Sequence, residues 1–194
     1  MHHELVESIP GVVLLTLTHH TDPEEYYRGE VTEMYNSDTL RAEGAAFRLD
    51  HWANMRSVRG ALRGLHGGSL KKLLSVITRE SHIMATVVDC RLGSPEFGNF
   101  AQYTLDYDHQ LYVPQGCANS ALTVSTVSYY QMAFETLSGG PWQTGQDEIK
   151  LSPLDPELGI PWLLANPVVH PRDLAAESFS MYAASELAEK FRYV

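Results

Sequence analysis

Short apolar runs, separated by turn residues every 8–14 positions, dominate the chain. Many of them alternate apolar and polar residues, which is the pattern of a half-buried antiparallel strand. Gly, Pro, Asn and Asp mark the turns in LGSPEFG, LDYDHQ, VPQGCAN and LSGGPW. The runs predicted as strands are 11–18, 30–35, 45–55, 61–66, 72–78, 82–91, 98–106, 109–114, 120–134 and 147–153. About ten strands at this spacing predict an all-β jelly-roll barrel or sandwich, which we place at residues 10–165.

Helical periodicity is clear only near the C-terminus. Over residues 172–191 the apolar side chains recur at helical spacing, and they are Leu174, Phe179, Tyr182, Leu187 and Phe191. A shorter helical turn is predicted at DTLRAE, residues 38–43. Because the chain has no internal repeat and no linker, we interpret residues 1–194 as one β domain that ends in a C-terminal helix.

The charge, the apolar runs and the cysteines restrict which partners and which cellular compartment we expect. The net charge of −10 argues against nucleic acid, although a local cluster of Arg and Lys can still hold a small anionic ligand. No apolar run approaches the roughly 18 residues of a membrane span, and the N-terminus lacks a signal-peptide pattern. Cys90 and Cys117 lie in apolar surroundings, which favours buried free thiols. We therefore expect a cytoplasmic protein that binds neither nucleic acid nor membrane.

The sequence offers no recognisable metal or phosphate-loop motif. A metal site in a β-barrel typically draws on His-x-His with a later Glu and His, whereas the pair His19–His20 stands outside any such pattern. The segment HGGS has neither the Lys-Ser/Thr ending nor the strand–helix context of a phosphate loop. We expect no metal and no cofactor.

The stretch RGALRGLHGG, residues 59–68, holds the most interesting histidine. In a regular strand Arg63 and His66 point to opposite faces, so a bulge is needed to bring both into one cavity. Glycines in this stretch are expected to let the backbone approach a ligand closely, and they are Gly64, Gly67 and Gly68. On these residues alone His66 is either a catalytic base or an ordinary structural histidine.

Five ordered segments resemble the dTDP-4-keto-6-deoxyglucose 3,5-epimerase family, the RmlC-like enzymes of rhamnose biosynthesis. They are RGEVTEMY (28–35), LRGLH (62–66), VVDCRLGSPEFGNF (87–100), LYVPQGCAN (111–119) and LGIPW (158–162), followed by HPRDLAA (170–176). The resemblance implies a cupin-type jelly roll without a metal, and a homodimer in which an N-terminal strand is exchanged. It also implies proton removal beside the C4 ketone of a nucleotide-linked 6-deoxysugar.

The resemblance assigns roles to individual residues. His66 matches the family's base, Asp173 its carboxylate partner, and Lys72 the lysine that steadies the enolate. A base near the acidic proton and a cation on the developing oxyanion are what this chemistry requires. The positions that match sugar-nucleotide contacts are Arg63 for the diphosphate, Arg28 and Glu33 on an arm that reaches the neighbouring subunit, and Asn54 on the preceding strand.

The sequence differs from the family pattern at two site positions, Met132 and Asn119, and a third residue, Tyr130, lies close to one of them. A gap-free alignment from VPQGCAN puts Met132 where the family has its proton-returning Tyr, and a thioether has no proton to give. Asn119 replaces a His of the family, and we keep Met132 and Asn119 as candidate substrate contacts. Tyr130 has the same strand parity as Met132, about 6–7 Å away. Tyr130 is a substitute acid or, alternatively, a packing residue.

These observations favour an epimerase or related isomerase of a nucleotide-linked 4-keto-6-deoxysugar that is not a standard double epimerase. One alternative is an enzyme of a different reaction on the same scaffold, such as a lyase or isomerase of natural-product biosynthesis. The other alternative is a non-catalytic protein that binds sugar nucleotides. A complete set of His66, Asp173 and Lys72 argues against the non-catalytic reading.

Overall fold

The computed structural model describes residues 3–21, 29–136 and 147–194. These residues form thirteen strands and four short helices. The strands are β1 (Val13–Thr16), β2 (Thr18–Thr21), β3 (Glu30–Glu33), β4 (His51–Val58), β5 (Ala61–Gly68), β6 (Leu70–Val76), β7 (Ile83–Asp89), β8 (Phe100–Leu105), β9 (His109–Val113), β10 (Cys117–Thr123), β11 (Val127–Thr136), β12 (Glu148–Lys150) and β13 (Val168–Val169). The helices are α1 (Ser37–Ala42), α2 (Pro171–Leu174), α3 (Phe179–Ala183) and α4 (Glu186–Lys190).

Two sheets pack face to face. The first has the strand order β1-β9-β6-β11-β4, and the second has the order β12-β5-β10-β7-β8, with β13 added parallel to β5. The strands β2 and β3 form a separate hairpin. Every other pairing among the described strands is antiparallel. The predicted all-β jelly-roll architecture is thus confirmed, in the form of a sandwich.

The main core lies between the two sheets, because alternate side chains of each strand point to the facing sheet. The first sheet contributes Leu74 and Tyr130 to this core, and the second contributes Val87 and Ala121. We call this side of each sheet its inner face. The same alternation sends Leu73 and the side chains beside it to the outer face, where they pack under α1 and the residues that follow it.

The C-terminal segment covers the outer face of the second sheet. Phe179 and Tyr182 are buried there, and the Tyr182 hydroxyl donates a hydrogen bond to the Cys90 carbonyl at 2.7 Å. The predicted helix over 172–191 is helical only in three short pieces. Ser178 and Ser185 interrupt it, because each serine hydroxyl accepts a backbone N–H three residues later and so begins a new helix.

Most predicted runs overlap one strand each, and the runs 11–18, 45–55 and 120–134 depart from this. The run 11–18 contains β1 and the first residue of β2. The run 45–55 becomes a strand only from His51 onward, and the run 120–134 is divided by a turn between β10 and β11. The short helix predicted at 38–43 is confirmed as α1. Cys90 and Cys117 are both buried and free. None of the helices in the described ranges is both long and apolar enough to span a membrane.

Candidate active site

The strand β5 contains an irregularity that decides where its side chains point. Asn119 of β10 pairs with His66, and Ala121 pairs with Arg63, so that two residues of β10 span the length of three residues of β5. An extra residue of this kind is a β-bulge, and it reverses the parity of the strand beyond it. Arg63 and His66 therefore share the inner face, although a regular strand would separate them.

Gly64 lies inside this bulge and makes it sterically feasible. Its φ of +109° is a conformation that residues with a Cβ rarely adopt. A Cβ at Gly64 would lie 2.5 Å from the carbonyl oxygen of Asn119. Gly67 is likewise pressed against the backbone of Cys117. The expectation that these glycines admit a ligand is therefore wrong, because the space beside them is filled by neighbouring backbone.

Asp173 holds the imidazole of His66. His66 Nε2 lies 3.0 Å from Asp173 Oδ1, and the Asp173 side chain is only 5% exposed. The short strand β13 pairs with β5 and thereby brings α2, with Asp173 in its first turn, against the same strand. Arg172 Nε also donates to Asp173 Oδ1 at 3.3 Å. Since the carboxylate engages Nε2, His66 Nδ1 is the nitrogen that can accept a proton from a ligand.

Lys72 of β6 crosses the space between the sheets to the same place. Its Nζ donates to the carbonyl of His66 at 2.8 Å and to Asn119 Oδ1 at 2.8 Å. Burial lowers the pKa of Lys72 to about 8, and the carboxylate of Glu148 opposes this shift. Both acceptors of Lys72 within the described ranges are neutral, and a buried ammonium group held in this way is suited to stabilising a negative charge that develops on a ligand.

His66 is in its basic form near neutral pH. Burial lowers the pKa of His66 below its ordinary value of 6.5, and the nearby charge of Lys72 lowers it further. Asp173 raises the pKa of His66 but does not reverse the direction of the shift. A neutral imidazole beside a cation is therefore the resting state of the site.

Opposite His66 and Asp173, the inner face of the first sheet presents three rows of side chains. The rows run across β6, β11 and β4, and they are Lys72–Phe134–His51, Leu74–Met132–Ala53 and Val76–Tyr130–Met55. Met132 packs against the main core. The strand parity predicted for Tyr130 and Met132 is confirmed, since both belong to these inner rows.

Tyr130 lies close to a hydrogen bond between Arg63 and Ser57, which was not predicted from the sequence. Its side chain is 1% exposed. Burial raises the pKa of Tyr130, and the neighbouring Ser57 and Arg63 oppose part of that rise. Arg63 Nε donates to the buried hydroxyl of Ser57 at 3.0 Å, so the guanidinium group spans from the second sheet to the first.

The remaining predicted contacts lie elsewhere or outside the described residues. Asn54 is exposed and pairs with Gln131, on the outer face. Strand alternation turns its neighbour Ala53 inward instead, and the substrate contact of Asn54 stays a prediction. Glu33 accepts two hydrogen bonds from Asn36 at the end of β3, apart from the group around His66. Arg28 lies outside the described residues.

Three polar residues near the site were missed in the sequence. Strand alternation from Met55 would have placed Ser57 and His51 on the inner face. Glu148 had no such signal, because it reaches β5 only through the pairing of β12 with that strand. Its carboxylate also contacts Lys150 Nζ at 2.8 Å. In the part of the chain that the structure describes, no three His, Cys, Asp or Glu side chains form a group that could hold a metal ion.

Comparison with known proteins agrees with this geometry. A family model described as dTDP-4-dehydrorhamnose 3,5-epimerase matches residues 7–181. The chain belongs to the dTDP-4-dehydrorhamnose 3,5-epimerase family. Its class is therefore that of the epimerases and related isomerases of carbohydrates.

Members of the epimerase family resemble the chain over most of its length. A dTDP-4-dehydrorhamnose 3-epimerase of Streptomyces niveus is 31% identical over 176 residues, which cover 85% of this chain and 78% of the relative. The RmlC epimerase of Mycobacterium tuberculosis superposes with a TM-score of 0.81 at 28% identity, covering 98% of each chain. RmlC of Streptococcus suis in complex with dTDP-D-xylose gives 0.76 at 25% identity, covering 90% of this chain and 89% of the other.

Proposed function

We propose that the protein removes the proton next to the ketone of a nucleotide-linked 4-keto-6-deoxysugar, as an epimerase. The observation that carries this proposal is the group in which Asp173 holds His66 and a buried Lys72 donates to the carbonyl of the same histidine. A carbon acid of this type needs a base, and it needs positive charge where the enolate oxygen forms. The two side chains supply these functions at adjacent positions.

In the first step His66 Nδ1 takes the proton from the carbon beside the ketone. The electron pair of the broken C–H bond forms the C=C bond of the enolate, and the negative charge moves to the ketone oxygen. Lys72 stabilises that oxygen through a charge-assisted hydrogen bond. Asp173 stabilises the imidazolium ion of His66, as a buried carboxylate does behind a catalytic histidine.

The nucleotide part of the substrate is inferred from relatives and from one cation. Related proteins are crystallised with dTDP-sugars, dTDP-D-xylose in the case of Streptococcus suis RmlC. Arg63 shares the inner face with His66, and its side chain is exposed along part of its length. A guanidinium group in that position suits a diphosphate.

We further propose that the reaction is not a standard double inversion. Met132 occupies the inner row opposite the second sheet, and its thioether cannot return a proton. Relatives carry names of single as well as double epimerases, the Streptomyces niveus protein being called a 3-epimerase. A second candidate function, favoured by the same Met132, is α-proton exchange that leads to movement of the carbonyl group rather than inversion.

The arm that carries Arg28 and Glu33 leads to a proposal about assembly. We infer a homodimer with exchange of an N-terminal strand, so that both residues act on the partner's site. Light scattering after size exclusion is expected to give twice the 21.7 kDa of one chain. A monomer at micromolar concentration would contradict this assignment.

The proposed function is tested with 4-keto-6-deoxy sugars linked to dTDP, CDP, UDP and GDP in heavy water. Proton NMR is expected to show loss of the C3 or C5 signal with at least one of them, through deuterium uptake. Chromatography of the reduced products then distinguishes inversion at one carbon, inversion at two carbons and carbonyl movement. Absence of exchange with all four nucleotides would remove the proposed function.

A further inference from the structure

Inversion of a carbon requires that a proton leaves one face and that another arrives on the opposite face. His66 approaches from the second sheet, so the returning proton has to come from the first sheet. Met132 stands there without a transferable proton. Among the described inner-face residues of β4, β6, β9 and β11, those with an acid or base group are Lys72, Tyr130, His51 and His109. His109 follows the pairing of Gln110 with Ser75, on the far side of Met132 from Lys72, and its Nδ1 lies 2.7 Å from Asp106 Oδ1, so it is held away from the reacting carbon.

Lys72 is committed to the base side of the site. Two hydrogen bonds of 2.8 Å hold its Nζ on the carbonyl of His66 and on Asn119 Oδ1. This anchorage keeps the ammonium group beside the second sheet, where it can reach the ketone oxygen of a ligand. Held there, Lys72 cannot donate a proton to the face of the sugar ring opposite His66.

Tyr130 is placed on the far side of Met132 from Lys72. It lies two residues before Met132, whereas Lys72 pairs with Phe134, two residues after Met132. Tyr130 is 1% exposed, and it lies close to the contact between Arg63 and Ser57. If Arg63 binds the diphosphate, Tyr130 lies below the diphosphate and away from the reacting carbon.

His51 lies on the Lys72 side of Met132 and is only partly buried. It pairs with Phe134, in the same row as Lys72, and it is diagonal to Met132, which pairs with Ala53. Diagonal neighbours of this kind are separated by about 7–8 Å between Cα atoms, within reach of a long or aromatic ring side chain. Trp52, the next residue, lines a groove on the outer face, as alternation requires.

We infer that His51 donates the returning proton to the sugar carbon on the face opposite His66; this inference rests on the proposed function. His66 first takes the proton and leaves the enolate, with its charge on the ketone oxygen. The N–H bond of the His51 imidazolium then breaks, and its proton bonds to the carbon through the electron pair of the C=C bond. The ketone reforms, and solvent restores the proton of His51 and removes that of His66.

The test separates proton removal from proton return. His51→Gln keeps a polar side chain without acid or base chemistry, and it is assayed in heavy water with the nucleotide sugar that the wild-type protein converts. Deuterium uptake with retained configuration is expected to stay within threefold of the wild-type exchange rate. Inversion is expected to fall by about 100-fold or more, the scale of one general acid. His20→Gln, a change of an exposed histidine on β2, is expected to leave both rates unchanged.

Three results would overturn the inference. The first is inversion by His51→Gln within threefold of the wild-type rate. The second is loss of deuterium exchange together with inversion in a folded variant, since that would make His51 a binding residue. The third is loss of inversion in Tyr130→Phe while His51→Gln still inverts. If His51→Gln does not fold, as judged by thermal unfolding, His51→Asn is measured and interpreted in the same way.

Failure of the proposed function gives a different pattern. A wild-type protein that neither exchanges nor inverts any of the four nucleotide sugars removes the proposed function, and this inference with it. A wild-type protein that inverts, together with a His51→Gln variant that inverts equally well, removes only the role of His51.

Discussion

His66 Nε2 and Asp173 Oδ1 lie 3.0 Å apart, although the two residues are separated by 107 positions in the chain. The pairing of β13 with β5 creates this contact, because it fixes the helix that carries Asp173 against the strand that carries His66. A carboxylate in that position fixes the imidazole tautomer and stabilises the imidazolium ion during the reaction.

Asp173→Asn is therefore expected to lower the rate of deuterium exchange by about 100- to 10,000-fold, with little change in substrate affinity. Steady-state kinetics on purified protein measures this loss. The matched control is Asp155→Asn, because Asp155 is also buried but accepts the backbone N–H groups of Glu157 and Phe179. Asp155→Asn is expected to lower the thermal stability and to leave exchange per folded molecule unchanged. Equal exchange in Asp173→Asn and wild type would contradict the role of Asp173.

The pH dependence of exchange follows from two pKa values. His66 is active when neutral, and its pKa is lowered below 6.5, so the rate is expected to rise only in the acid range and to be level near neutral pH. Lys72 is active when charged, and its pKa of about 8 predicts a decline of the rate as the pH rises through that value. In Lys72→Arg the side chain stays charged at higher pH. Its residual activity is expected to lack the decline near pH 8, and persistence of that decline would contradict the assignment.

Arg63→Met tests the place of the diphosphate. Loss of a charge-assisted hydrogen bond is expected to weaken binding of dTDP by about 10- to 100-fold, as measured by calorimetry. Exchange at saturating substrate is expected to change by less than threefold. Arg56→Met is the matched control, because Arg56 lies on β4 but stacks over Tyr129 on the protein surface. A similar loss of binding in both variants would point to a general charge effect.

Gly64→Ala tests the bulge that turns Arg63 and His66 to the same side. The added Cβ would lie 2.5 Å from the Asn119 carbonyl oxygen, so the backbone has to move. The free energy of unfolding is expected to fall by more than about 2 kcal/mol, and exchange to be lost. Gly93→Ala is the control, since Gly93 has a φ of +87° but no atom within 4 Å of the added Cβ. Gly93→Ala is expected to cost only about 1 kcal/mol, and equal effects of the two changes would contradict the account of the bulge.

Much of the fold could be predicted because the chain alternates apolar and polar residues. This alternation reports burial on one side of a strand, and it placed nearly all strands and the inner orientation of Tyr130 and Met132. The helix boundaries near Ser178 and Ser185 were not predicted, because hydrophobic spacing continues through them while the serine hydroxyls begin new helices.

The site could be predicted in part. Family resemblance pointed to His66, Asp173 and Lys72, and the structure brings them together. The resemblance could not reveal the bulge at Gly64, because the bulge depends on the pairing of β5 with a strand more than fifty residues later in the chain. Asn54 was assigned to a substrate contact from the resemblance alone, whereas strand alternation places its two neighbours on the inner face. Glu148 was not predicted as a site residue, because only the pairing of β12 with β5 brings it near His66.

The central claim is that His66 removes the proton beside the ketone. The most direct measurement is the rate of deuterium uptake by the nucleotide-linked 4-keto-6-deoxysugar in heavy water, compared between the wild-type protein and His66→Asn. The account predicts uptake by the wild type and a rate at least about 100-fold lower in a folded His66→Asn variant. Uptake by His66→Asn at the wild-type rate would contradict it.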